Sequence, residues 1–163
     1  MKKALWLFSV LFWTQFAYPQ PMDDFYKRLS SAAIAIINPK IKYDSSYTCI
    51  TYPNGDVDKD IGVCTDVLIR AYRVLGIDLQ KEVHEDMRAN FSIYPSRRLW
   101  GLTAPDKNID HRRVPNLQTF FTRKGEVLPI STKKEDYLPG DIVTWDLGRG
   151  IAHIGIVVPQ KSF

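Results

Sequence analysis

A chain of 163 residues with 45% hydrophobic and 25% charged residues, and only 9 Gly and 10 Pro, has the composition of a folded globular domain. Collagen-like, low-complexity and wholly disordered readings are excluded. Setting aside a leader of about 20 residues leaves roughly 143, the size of a single domain with one modest core. The expected organisation is a signal peptide over 1–20 and one domain over 21–163.

Lys2 and Lys3 precede an apolar run from Ala4 to Ala17, shorter than the ~20 residues that a membrane-spanning helix needs. The pattern reads as a secretory signal peptide, cleaved between Ala17 and Gln20, with an uncleaved anchor as the alternative. The expected location is secreted or periplasmic, with no stable membrane insertion after cleavage. The net charge of +4 falls to +2 when the two leader lysines are removed, too little to argue for a nucleic-acid partner. Arg97-Arg98 and Arg112-Arg113 are local clusters, read either as solvated loop charge or as contacts for an anion or carboxylate.

From Asp23 to Ile37, Phe25, Leu29, Ala32, Ala33 and Ile36 recur at helical spacing, and Asn38-Pro39 ends the helix. Alternation at Tyr47, Cys49 and Thr51 predicts a strand before the turn Pro53-Asn54-Gly55-Asp56. The clearest helix runs from Cys64 to Leu75, with an apolar stripe over Val67, Leu68, Ala71, Val74 and Leu75 and Gly76 as its stop. Another is predicted from Asp78 to Phe91, with Asp78 as its cap. Tyr94 to Val114 has no sustained period and carries Pro95 and Pro105, with Pro115 directly after it, which predicts a long ordered loop. Pro139-Gly140 and Gly148-Arg149-Gly150 bracket two apolar runs, Asp141–Trp145 and Ala152–Val158, expected to pair as an antiparallel hairpin. Period-two alternation puts His153, Gly155 and Val157 on one face and Ile154, Ile156 and Val158 on the other.

Two residues stand where chemistry could occur. A thiol attacks carbonyls only as a thiolate, and a helix N-terminus or a neighbouring imidazole lowers its pKa. Cys64 opens a helix, Gly62 before it permits close backbone approach, and the first amide of the helix is placed to hold an oxyanion. His153, between Ala152 and Gly155, has room on its face for another group, which makes the expected pair a thiolate nucleophile and an imidazole base. The plainer alternatives are a Cys49–Cys64 disulfide, a core histidine at position 153, and an Asp66 that serves only the first helical turn. His84, His111 and His153 lack zinc-ligand spacing, so no metal or other cofactor is expected. Tyr47 or Tyr52 could lend a hydroxyl to the oxyanion site.

The strings GVCTDVLIRAYRVLGIDLQ, VHEDM, NIDHRRVPNLQTFF, PGDIVTW and HIGIVV, in that order, resemble a YijF-like family of exported bacterial proteins described as a domain of unknown function. That family in turn resembles the NlpC-type, papain-like cysteine peptidases, which cleave amide bonds in cell-wall peptides. The resemblance implies an α+β fold with a cysteine-first helix packed on an antiparallel sheet, and puts Cys64 and His153 at the catalytic positions. It implies peptidoglycan peptides as partners. The family's usual Asp-Cys-Ser-Gly is Val63-Cys64-Thr65-Asp66 here, and the polar residue that orients the histidine from a later strand has no clear equivalent before Phe163. The expectation is therefore either a C-terminal sheet truncated in this chain or an upstream acid, Asp141, Asp146 or Asp110, in that role. Asp110, His111, Arg112 and Arg113 are expected to form a substrate-facing loop. The activities carried forward are a periplasmic cysteine amidase or endopeptidase, a catalytically silent binding protein on the same fold, and an acyl or thioester hydrolase.

Overall fold

A computed structural model describes residues 21–159, with side chains from residue 24 onward. The expected signal peptide lies outside the described residues. Helix α1 (Pro21–Ala35) is followed by two short strands, β1 (Lys42–Tyr43) and β2 (Ile61–Gly62), which pair in parallel. Then come α2 (Cys64–Val74), α3 (Leu79–Asn90), α4 (Ser96–Trp100) and α5 (Val114–Lys124). The hairpin β3 (Ile142–Asp146) and β4 (Ala152–Ile156) completes an α+β arrangement. None of the described helices is long and apolar enough to cross a membrane.

The apolar stripe read from the sequence explains why α2 is central. Leu68, Ile69, Ala71 and Tyr72 are buried, against Leu29 and Ala33 of α1, Val83 of α3 and Ile154 of β4 in one core. At its start, Val63 has no side-chain oxygen to cap the helix, and its own N–H is taken instead by Asp66 Oδ2 at 2.7 Å. At its end, Gly76 takes φ +82°, its N–H bonds to the Arg73 carbonyl, and that of Ile77 bonds to the Tyr72 carbonyl. That pair of bonds is the glycine-terminated stop expected of this sequence.

Two expectations need correction. No strand forms over 47–51: the Ile50 N–H is taken by Asn108 Oδ1, and the Thr51 carbonyl by the amide of buried Gln80. Side chains thus supply the partners a sheet would have supplied. The segment 94–114 is not a bare loop, because it holds α4 and a 3-10 turn, Asp110–Arg112. Helix α5 adds to the expected elements: Pro115 sits in its first turn, where a missing N–H costs nothing. Its Leu117 and Phe120 enter the core.

Helices α3 and α5 are tied together through Asp86, whose carboxylate accepts from Tyr94 (2.6 Å), Arg123 (2.8 Å) and Lys124 (2.9 Å). These donors, the Arg123 guanidinium foremost, hold the Asp86 carboxyl well below the usual carboxylate range.

Candidate functional site

The surroundings of Cys64 are built by α2 and β4. Cys64, the first residue of α2, is half-buried, and the backbone amides of Ile154, Thr65 and Cys64 itself face its sulphur. Ile154 is in the core at 2% exposed, which fixes β4 against α2 and, by strand alternation, puts His153 on the opposite face. The histidine strand thus packs beside the cysteine helix, with Ile154, the residue after His153, in the core that Cys64 borders. Among the described residues, no hydrogen bond joins the thiol directly to the imidazole.

The thiol is not activated in the manner expected from its helix-start position alone. Burial, the largest influence, pushes the Cys64 pKa up, and the amide donors of Ile154, Thr65 and Cys64 only partly offset it, with Asp66 adding to the rise. Cys49 and Cys64 are both free, so the disulfide alternative does not hold. In a Cys49→Ser variant, alkylation of Cys64 by iodoacetamide is therefore expected to be slow at pH 7 and to accelerate only as pH climbs past the ordinary thiol range, about 8.5. Fast labelling that is flat between about pH 6 and 8 would show that the thiolate is already formed.

His153 lies directly across the hairpin from Trp145, with ring centroids 4.7 Å apart at 65°. The room seen beside His153 in the sequence is taken by this indole: a Cβ on Gly155 would stand 3.4 Å from Trp145 Cη2. The glycine therefore makes space for the tryptophan, and the tryptophan bounds the imidazole. The sequence signal for this contact is the position of Trp145 opposite His153 in the hairpin register.

The acids proposed to orient the histidine are engaged elsewhere. Asp141 accepts the Leu138 N–H at 2.7 Å and closes the base of the hairpin, and Asp146 accepts the Gly148 N–H at 2.7 Å at its tip. Asp110 is 1% exposed and accepts from the Asp106 N–H and from Arg113, and burial raises its pKa. None of the three is hydrogen-bonded to His153 among the described residues. Tyr47 accepts from Asn108 at 2.8 Å, and Tyr52 packs edge-on against His84, so neither hydroxyl is assigned to an oxyanion.

The block Asp110–Arg113 faces inward rather than toward a ligand. Arg112 forms a fork on Asp66, both bonds 2.9 Å, with each side chain 3% exposed. It also donates to the carbonyls of Asp44 and Ser46, and its own carbonyl accepts the hydroxyl of Thr65. Arg113 pairs with Asp110 and lies 4.2 Å over the Trp100 ring. The physical reason for the inward turn is mutual satisfaction: charges this deep persist only when paired. Their function is to brace the start of α2, two residues from the thiol.

His111 is 2% exposed, its Nδ1 has no hydrogen-bond partner, and burial lowers its pKa to about 4. The folded protein therefore holds it neutral, whereas the unfolded chain takes up a proton below about pH 6.5. Stability is expected to fall as pH drops from about 6.5 to 4, by an amount on the order of 3 kcal/mol, and to lose nothing further from this group below that. Urea titrations across this range should show a shallower decline for His111→Leu than for the native chain. Parallel declines would remove His111 from the account.

An α+β domain with a cysteine-first helix packed on a histidine-bearing hairpin is thus the class that the fold and site define. The profile of the family described as a domain of unknown function, DUF1287, matches residues 30–163, and the chain belongs to that family. The Escherichia coli (strain K12) protein named "Uncharacterized protein YijF" is 54% identical over 121 residues, which make up 74% of this chain and 58% of that relative. The chain thus spans less than two thirds of the curated relative it matches. No solved structure matches it.

Proposed function

We propose that this domain is a periplasmic cysteine amidase or endopeptidase of papain-like, NlpC-type plan, acting on cell-wall peptides. The reading is supported above all by one placement: Ile154, the residue after His153, lies in the core that Cys64 packs against, so the histidine strand sits beside the first turn of the cysteine helix. In the reaction, the thiol proton passes to His153 as the Cys64 sulphur bonds to the amide carbon. The resulting oxyanion is received by backbone amides at the start of α2. His153 returns the proton to the leaving amine as the C–N bond breaks, and water, deprotonated by the same imidazole, then cleaves the thioester and restores the thiol. Because burial favours the neutral thiol, proton transfer to His153 is coupled to attack rather than completed beforehand.

A second reading, a peptide-binding domain without turnover, is favoured by the same burial and by the engagement of Asp141, Asp146 and Asp110 away from His153. Acid-quenched intact-mass measurement after mixing with muropeptides separates the two. The enzyme reading expects an acyl adduct on the native chain that is missing from Cys64→Ala. Bound muropeptide with no adduct and no cleavage would leave only the binding domain.

A further inference from the structure

Six of the described arginines are matched to carboxylates, including Arg70 and Arg73 on Asp56, Arg112 on Asp66 and Arg123 on Asp86. Arg88 and Arg149 are not, and neither are Arg97 and Arg98. Both are exposed on α4, and among the described residues neither has a carboxylate partner. Both line a cleft of about 540 Å³ between the turn Phe91–Ile93, α4 and the first turns of α5, and no acid lines it with them.

The rest of the lining is largely apolar. Ile93, 55% exposed, stands beside Pro95 and Pro115. Tyr94 contributes its ring, since its hydroxyl is bonded to Asp86. Gln118 and Thr119 add polar groups. Two guanidiniums border the cleft and no carboxylate in the lining neutralises them, so an incoming anion gains charge-assisted hydrogen bonds there.

We propose that this cleft binds an acidic peptide, with Arg97 and Arg98 receiving a carboxylate and Ile93, Pro95 and Pro115 receiving the aliphatic stem that carries it. The apolar lining favours a carboxylate on a hydrocarbon stem over a bare phosphate, which would leave that surface unused. The site is independent of the chemistry proposed at Cys64.

The test is calorimetric titration of the full chain carrying Cys64→Ala, so that turnover cannot affect the result. The probes are a synthetic acetylated tetrapeptide of alternating Ala and Glu, its Gln counterpart and inorganic phosphate. The Glu peptide is expected to bind about tenfold more tightly than the Gln peptide at low salt, with the advantage shrinking as salt is raised. Arg97→Gln and Arg98→Gln should each remove most of that advantage without moving Tm, because both side chains are exposed. Absence of binding by the Glu peptide, equal affinity for the two peptides, an unchanged preference in the double variant, or tighter binding of phosphate would each overturn the proposal.

Discussion

Arg112→Ala is expected to destabilise the fold by about 3–5 kcal/mol, the range for removing one partner of a buried ion pair. The loss exceeds that of a surface pair because Asp66, 3% exposed in its side chain, would be left charged and without its fork. The carbonyls of Asp44 and Ser46 would lose a donor as well. Asp66 also accepts the Val63 N–H, so disturbing it loosens the turn on which Cys64 stands. Urea denaturation should show a lower midpoint with an unchanged slope. The paired replacement Asp66→Leu with Arg112→Met is expected to recover much of the loss, since two apolar groups leave no charge stranded, although the bond to Val63 N–H is not restored. A cost below about 1 kcal/mol for Arg112→Ala would mean that the pair contributes little and that α2 is fixed by packing alone.

Cys64→Ala and His153→Ala are each expected to lower amide hydrolysis by about 10⁴-fold or more, because either change removes a member of a unit that acts together. For the same reason, the double variant should be scarcely worse than either single one. Secondary structure should survive Cys64→Ala, since the thiol is half-buried and the fold of α2 rests on Leu68, Ile69 and Tyr72. A tenfold effect for each single change, multiplying in the double variant, would describe two independent binding contacts rather than a nucleophile and its base.

How legible these features were in the sequence depended on whether their causes were local. Helix α2 could be read to within a residue because its stripe and Gly76 lie in one short stretch. The hairpin could be read because Pro139-Gly140 and Gly148-Arg149-Gly150 mark both of its turns. Helix α5 carries Pro115 in its first turn, and the meaning of a proline changes from breaker to first-turn residue according to where the helix begins. The Asp110–Arg113 block looked like a substrate-facing loop because its polarity is local, while Asp66, which pairs with Arg112, lies 46 positions away. The false strand at Tyr47–Thr51 had the right alternation, but its backbone partners are side chains of Asn108 and Gln80 rather than a neighbouring strand. At the site, Cys64 and His153 could be singled out one by one. The placement of the histidine strand beside the cysteine helix, and the indole of Trp145 against the imidazole, follow from packing and register and could not be read from either segment alone.

The central claim, that Cys64 and His153 form one hydrolytic unit, is tested most directly by counting new amine termini released from purified peptidoglycan. Native protein, Cys64→Ala and His153→Ala should be compared at matched concentrations. The account predicts steady release by the native chain and none above background by either variant; equal release by all three would contradict it.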